Sequence, residues 1–316
     1  MKKIHLSSPK KLKGCVPQGQ TLDPMMRALK AIHSATSPES MAPEDLERQR
    51  NGQELLGRLT APMLGMEWKP FQLHSMNAAW VRPNRPHNRR RVILYCHGGG
   101  YTSGNLGYSR PLACKLSHCT GWDTLCFEYR LAPEYPFPAA VDDAMTTWNH
   151  LMYLGYGAQD VVVAGDSAGG NLALVLCHQL KQAGRYLPAR LVLLSPWTDM
   201  TASGTSYERM AELDPTLTLD YIKAVRSVYA KTQDLTSPLL SPLFGDFSGF
   251  PPTLIQVGSN EILLSDSTRL RDRMAEAQVP CKLEIWDHMW HVFQMYPIAK
   301  AGQAIEHIGQ FLLEEW

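Results

Sequence analysis

Short apolar runs alternate with helix-forming segments from about residue 77 onward, and this alternation constrains the possible folds more than any other feature. The apolar runs are AAWVRP, RVILYCH, DTLCFEY, DVVVAGD, ARLVLLS, PTLIQVG and KLEIW. Helical spacing falls between or after them, over residues 108–120, 138–154, 169–183, 265–278 and 298–314. Repeated strand–helix units need right-handed crossovers. The sequence therefore predicts an α/β fold, with a mostly parallel sheet covered by helices on both faces.

Two segments do not follow the alternation. Residues 1–70 are polar and helix-prone, with helical spacing in DPMMRALKAIHSA and APEDLERQRNGQELLGRL. A long stretch, residues 200–250, separates LVLLSPW from PPTLIQV and contains the helical pattern TLDYIKAVRSVYAK. Ligands of such sheets bind at the carboxyl ends of the strands. We therefore predict a helical cap over that edge, made of residues 1–65 and of the insertion at about 200–250, on a domain of residues 66–316.

Charge and cysteine usage narrow the classes of partner and compartment. Lys and Arg total 31 against 30 for Asp and Glu, so the chain lacks the field that would attract nucleic acid or an anionic membrane. The seven cysteines include no CxxC pair, and an odd number cannot close into a disulfide framework. The N-terminus MKKIHLSSPKKLKG is basic but has no apolar stretch behind it. We expect a cytoplasmic protein with no stable membrane insertion and a small, neutral substrate.

The segment VVVAGDSAGGNLALVL places Ser167 between a buried strand and a helix. Its centre, residues 165–169, reads G-x-S-x-G, and small residues beside the serine allow a sharp turn that lifts the hydroxyl above the sheet. The structural alternative is a glycine-rich turn in which the serine caps the helix. The strand before the motif and the helix after it favour a nucleophile at Ser167.

Three consecutive glycines follow another apolar strand in VILYCHGGGY. Glycines let the backbone approach a substrate closely, and we predict an oxyanion hole formed by the N–H groups of Gly98, Gly99 and Ala168. The alternatives are a plain turn or a phosphate-binding loop. The spacing matches neither a P-loop nor G-x-G-x-x-G, which argues against a nucleotide.

Together, HGGG at 97–100, GDSAGG at 165–170 and YRLAPEYPFPAAVDD between them resemble the hormone-sensitive lipase family of α/β-hydrolases. This resemblance covers residues 65–316 and implies the α/β-hydrolase fold and a carboxylester hydrolase. It also implies that the N-terminal helices belong to the cap. On the same resemblance, Arg130 and Glu134 are expected to form a structural ion pair, and His97 to brace the oxyanion loop.

The resemblance further requires a histidine after the serine and an acid between them. The segment EIWDHMWHVFQ offers His288 and His291, and the His-Val-Phe order of the family selects His291. The spacing of the two histidines could also suit a metal, but no third ligand accompanies them, so no metal is expected. Like the base, the acid has two candidates, both in GSNEILLSDS. Glu261 matches the family position just beyond a strand, whereas Asp266 at a helix start is expected to cap the helix.

These residues predict a serine carboxylesterase that needs no cofactor and acts on short- to medium-chain esters through an acyl-enzyme. The cap and four aromatic residues, Tyr101, Trp197, Trp290 and Phe293, are expected to form the substrate pocket. An amidase or deacetylase with the same triad remains open, as does a non-catalytic small-ligand receptor. KLEIW is expected to be an edge strand through which two copies could pair.

Overall fold

The computed structural model describes residues 24–36, 41–59 and 65–314, and within them eight strands form one sheet. The strands are β1 (Met66–Leu73), β2 (Met76–Pro83), β3 (Val92–Cys96), β4 (Asp123–Phe127), β5 (Val161–Asp166), β6 (Arg190–Leu194), β7 (Thr253–Gly258) and β8 (Cys281–Trp286). The α-helices are α1 (Pro24–Thr36), α2 (Pro43–Leu59), α3 (Leu106–Thr120), α4 (Ala139–Tyr153), α5 (Ala168–Gln182), α6 (Ser206–Arg209), α7 (Leu219–Tyr229), α8 (Leu264–Glu276) and α9 (Ala299–Leu313).

The strand order in the sheet is β1-β2-β4-β3-β5-β6-β7-β8. β1, β2 and β4 pair antiparallel, and every other neighbouring pair is parallel. Alternate residues of the central strands enter two different cores. Val161 and Val163 pack with α4, α5 and α8, whereas Val162 and Ala164 pack with α3 and α9. Because both faces are buried, these strands are apolar at every position.

The predicted α/β fold is confirmed, and all seven apolar runs form strands. The sequence analysis placed the first residues of β1, 66–70, in a helix-prone region, which was wrong. β1 is the outer strand of the sheet, and only Leu73 at its end is buried. Met66 and Trp68 alternate with Glu67 and Lys69, but Pro70 breaks this alternation, so the two-residue period of a strand does not continue through β1.

Helices α1, α2 and α7 occur where the helical patterns outside the alternation predicted them. Parts of residues 1–65 lie outside the described residues, and the division into cap and catalytic domain stays a prediction. α2 and α7 are joined by a hydrogen bond of 2.6 Å from Gln49 Nε2 to the Tyr221 hydroxyl.

Arg50 of α2 fixes this helix to the loop that follows β4. Its guanidinium donates two hydrogen bonds to the Glu134 carboxylate, at 2.8 and 2.9 Å, and a third to the Thr102 carbonyl at 2.9 Å. The expected ion pair between Arg130 and Glu134 is therefore wrong. Arg130 instead pairs with Asp143 of α4 at 2.9 Å, because the loop turns its side chain toward that helix.

β8 lies at an edge of the sheet, as KLEIW was expected to do. Pairing of two copies through this edge stays a prediction, which the molecular mass in solution would test. Among the helices that the structure describes, none is long and apolar enough to cross a bilayer.

Candidate active site

Ser167 occupies the sharp turn between β5 and α5. Its backbone has φ 55° and ψ −120°, which is a strained conformation for a non-glycine residue. The turn is held by a hydrogen bond of 2.9 Å from the Ser167 N–H to the Leu194 carbonyl. It also requires close packing, since a Cβ on Gly169 would lie 2.0 Å from the Cys96 carbonyl oxygen. The Ser167 side chain accepts no hydrogen bond from the N–H groups of α5, so Ser167 does not act as a side-chain helix cap.

The acid and the base come from the loops that follow β7 and β8. His291 Nδ1 lies 3.0 Å from Glu261 Oε2, and both side chains are largely buried. The other carboxylate oxygen, Oε1, accepts hydrogen bonds from the Ser195 hydroxyl at 2.8 Å and from the Gly258 N–H. Because a carboxylate only accepts, the proton of this pair sits on Nδ1, which leaves Nε2 free to act as a base.

His288, the other candidate base, is exposed at the surface and lies 3.7 Å from the Asp287 carboxylate. The structure therefore pairs Glu261 with His291 and leaves His288 away from the acid. Burial lowers the pKa of His291, but the hydrogen bond and charge of Glu261, with the charges of Asp214 and Asp166, outweigh it and raise the pKa above 6.5.

The three backbone groups proposed for the oxyanion hole need one correction. The N–H of Gly98 donates a hydrogen bond of 2.9 Å to Asp166 Oδ1, so it is not free to bind an oxyanion. Gly99 and Gly100 line the same cavity as Ser167, and Ala168 is the first residue of α5, where a backbone N–H has no partner within the helix. The geometry therefore favours Gly99, Gly100 and Ala168.

Asp166 explains why Gly98 turns away from the site. Its buried carboxylate accepts hydrogen bonds from the Tyr95 and Tyr108 hydroxyls as well as from the Gly98 N–H. A Cβ on Gly98 would lie 2.2 Å from the Asp166 carboxylate, so any larger residue here would force the carboxylate or the loop to move. On the far side of the loop, His97 Nδ1 donates to the Gly98 carbonyl at 2.8 Å, and burial lowers the pKa of His97 to about 4. The neutral His97 thus braces the loop.

Ser167 and His291 line one cavity of about 220 Å³, which helices α2 and α7 also border. Of the four aromatic residues proposed for the pocket, Trp197 lines this cavity. No Asp, Glu, Lys or Arg among the described residues lines it. The site therefore suits an uncharged ligand.

Tyr101, Trp290 and Phe293 do not line the cavity, and their prediction as pocket residues was wrong. The Tyr101 ring stacks on Tyr229 with centroids 3.8 Å apart, inside the main core. Trp290 and Phe293 pack in a separate cluster that includes residues of α1 and α9. Trp290 and Phe293 are close to His291 in the sequence, but this closeness does not determine whether their rings face the cavity.

Asp266 neither caps α8 nor contacts His291. Helix α8 begins at Leu264, and Asp266 Oδ2 accepts hydrogen bonds from the backbone N–H groups of Thr198 and Asp199, at 2.7 and 3.0 Å. Burial, with the nearby Asp199 charge, raises the pKa of Asp266 to about 7.

Asp266→Asn should change how stability depends on pH. The unfolded chain loses this proton near pH 4 and the folded protein near pH 7, so the folded state binds more protons between these values and wild-type stability falls as pH rises. The asparagine variant does not lose stability in this way. The unfolding free energy of the variant minus that of the wild type should therefore increase by roughly 1–4 kcal/mol from pH 4 to pH 8. Urea unfolding at several pH values measures the difference. A constant difference across that range would mean that Asp266 does not titrate there.

Sequence reasoning missed Asp214, which ties the 200–250 insertion to the acid loop. Its Oδ2 accepts from the Ile262 N–H at 2.8 Å, next to Glu261, and its Oδ1 accepts from the N–H groups of Thr216 and Leu217. Burial raises the pKa of Asp214, while these backbone donors oppose the rise. Ser195 was missed as well, although it follows β6 at the carboxyl edge of the sheet. It bridges Glu261 and the Val292 N–H.

Asp214→Asn should shift the acidic limb of the pH–rate profile to lower pH. The variant removes a negative charge that raises the pKa of His291, so the base stays neutral to lower pH. It should also lower kcat by roughly 10–100-fold, because the loop that carries Glu261 loses its tie to the insertion.

Asp234→Asn is the matched control for this prediction. Asp234 lies in the same insertion and accepts from the N–H and hydroxyl of Thr236, but it is fully exposed. Its variant should keep the wild-type profile. An unmoved acidic limb in Asp214→Asn would show that Asp214 does not act on the base.

The described residues contain no group of three or more His, Cys, Asp or Glu that could hold a metal ion. The site is thus built from a serine, a histidine–carboxylate pair and backbone donors on an α/β sheet. This fold and arrangement define the α/β-hydrolases.

Comparison with known proteins agrees with this class. Residues 93–295 match the family model described as alpha/beta hydrolase fold. The chain is 39% identical to an acetyl-hydrolase of Streptomyces hygroscopicus, over 74% of this chain and 79% of that protein. It is 33% identical to an esterase of Acinetobacter venetianus, over 90% of this chain and 93% of that protein.

Solved structures point to the same family. An esterase from the bacterial hormone-sensitive lipase family superposes with a TM-score of 0.85 and 32% identity, covering 93% of this chain and 98% of the other. The chain belongs to the hormone-sensitive lipase family of α/β-hydrolases, and it is a carboxylic ester hydrolase.

Proposed function

We propose that the protein hydrolyses short- to medium-chain carboxylic esters by a serine mechanism with an acyl-enzyme intermediate. The observation that carries the proposal is the 3.0 Å contact between His291 Nδ1 and Glu261 Oε2, beside a cavity that Ser167 and His291 share. In this arrangement Glu261 orients the imidazole and stabilises its protonated form.

The two half-reactions follow from these positions. His291 Nε2 removes the proton from Ser167 as its hydroxyl oxygen attacks the ester carbonyl, and the N–H groups of Gly99, Gly100 and Ala168 stabilise the oxyanion. The intermediate collapses when the C–O bond to the alcohol breaks and the alcohol leaves with the proton from His291. Water then attacks the acyl-serine with His291 again as base, which releases the acid and restores the serine.

The preference for short to medium acyl chains is supported by the size of the cavity. At about 220 Å³ it lies below the ~300–1,000 Å³ that is common for small-molecule sites. One relative points the same way: an ethyl acetate hydrolase of Pseudomonas putida is 30% identical over 76% of this chain.

A rate profile with p-nitrophenyl esters of increasing acyl length, and with matched anilides, tests the proposal. We expect an initial burst of p-nitrophenol, which marks acyl-enzyme formation, and the highest kcat/KM with short to medium chains. Faster cleavage of the anilides would favour an amidase or deacetylase, and binding without turnover would favour a receptor. Preference for long-chain triglyceride emulsions would contradict the size argument.

A further inference from the structure

The part of the cavity wall formed by α2 carries two amide oxygens that no group among the described residues satisfies. Gln49 and Gln53 lie on the same face of α2, four residues apart, and both line the cavity. Gln49 is only 7% exposed. The Oε1 atoms of both residues are buried and have no hydrogen-bond partner among the described residues.

The structural role of Gln49 does not use this oxygen. Its Nε2 donates to the Tyr221 hydroxyl at 2.6 Å and so links α2 to α7. Two hydroxyls of the cavity wall are already engaged: the Tyr108 hydroxyl donates to Asp166, and the Thr216 hydroxyl donates to Asp214. The amide oxygens thus stand out as acceptors in a mostly apolar wall.

A group that fills this part of the cavity must donate a hydrogen bond to these oxygens or leave them desolvated, which is unfavourable. Because no Asp or Glu among the described residues lines the cavity, nothing there balances a positive charge, and the donor must be neutral. An alkyl group at the same place would gain apolar contacts but would leave the oxygens unpaired.

We infer that Gln49 and Gln53 recognise a neutral hydrogen-bond donor on the substrate, so that the preferred esters carry a hydroxyl or N–H group away from the scissile bond. This inference rests on the proposed function and narrows its substrate class. The two glutamines are specificity-determining residues, because they discriminate between substrates without taking part in bond cleavage.

Matched esters that differ only in the donor test the inference, and a hydroxyl is the smallest such donor. On the alcohol side, 2-hydroxyethyl butanoate is compared with propyl butanoate. On the acyl side, ethyl 3-hydroxybutanoate is compared with ethyl 3-methylbutanoate. We expect at least one hydroxylated ester to have a kcat/KM about tenfold or more above its alkyl partner, and the pair concerned locates the donor. An apolar pocket would favour the alkyl esters instead.

Further comparisons show whether the enzyme recognises a hydrogen-bond donor or merely prefers a polar substrate. If the hydroxyl preference is found on the alcohol side, 2-methoxyethyl butanoate, which accepts but does not donate, should show no advantage over butyl butanoate. Gln49→Met should reduce the hydroxyl preference about tenfold, and Gln53→Met is the second variant if the first fails to fold. Asn51→Leu, on the exposed side of the same helix, should keep the preference.

The inference is overturned if the wild type prefers both alkyl esters, or if the preference survives in the Gln49→Met, Gln53→Met double variant. The inference is also overturned if the ether and the hydroxyl give equal advantages over their alkyl partners. An ether only accepts hydrogen bonds, so the glutamines would then be acting as donors. These outcomes leave ester hydrolysis itself intact. Failure of the proposed serine mechanism would give a different result: Ser167→Ala would hydrolyse every ester as fast as the wild type.

Discussion

Ser167→Ala should lower kcat for a short-chain ester by up to ~10⁶-fold, because the attacking oxygen is lost while its base and the oxyanion donors remain. The folded state should hardly change. The Ser167 side chain makes no helix-capping hydrogen bond, and the turn depends on the backbone N–H and carbonyl, which alanine keeps. Single-turnover kinetics and thermal unfolding, measured on the same preparations, check both expectations.

The helix-cap interpretation of Ser167 makes the opposite prediction. Loss of a capping serine would cost ~0.5–2 kcal/mol of stability and leave turnover in place. A variant with wild-type turnover would therefore remove Ser167 as the nucleophile. Mass spectrometry after reaction with an activated ester adds a direct readout, since the acyl group should be found on the wild-type chain and not on the variant.

Glu261→Gln should lower kcat by ~10³–10⁴-fold with the fold intact. The Ser195 hydroxyl and the Gly258 N–H both donate to Oε1, so the amide oxygen of glutamine is held on that side. Its NH₂ group then faces His291 Nδ1 and can only donate. The proton of the imidazole must move to Nε2, and the base can no longer accept the serine proton.

Asp266→Asn is the comparison for this prediction. Asp266 is as buried as Glu261 and lies in the helix that follows the Glu261 loop. Its carboxylate accepts hydrogen bonds from the backbone after β6 and does not contact His291. Its variant should keep kcat close to the wild-type value. Loss of turnover in a folded Asp266→Asn, with Glu261→Gln active, would reverse the assignment of the acid.

The position of a residue in the fold can be predicted from the sequence where the residue follows the end of a strand. Ser167, Glu261 and His291 each lie just beyond an apolar strand, and the carboxyl ends of parallel strands meet at one edge of the sheet. The HGGG motif at 97–100 likewise follows the end of β3. Such positions can be predicted because apolar strand segments, and therefore their ends, are recognisable in the sequence.

Contacts between irregular segments could not be predicted in this way. Asp214 reaches Ile262 across 48 residues, and nothing in either local sequence encodes that meeting. The choice among neighbouring glycines depended on the direction of one N–H group, which turns toward Asp166. Whether an aromatic ring such as Tyr101 faces the cavity or the core is likewise set by packing with distant residues.

The Asp214 contact has a consequence for exchanging parts between relatives. The insertion shapes the ligand cavity, which suggests that it could be swapped to alter preference while the catalytic scaffold is kept. Its Asp214, however, also holds the loop that carries the acid. A chimera with a foreign insertion should therefore hydrolyse esters well only when the donor segment brings a carboxylate to the same backbone N–H, so ligand preference and turnover are not separable modules in this enzyme.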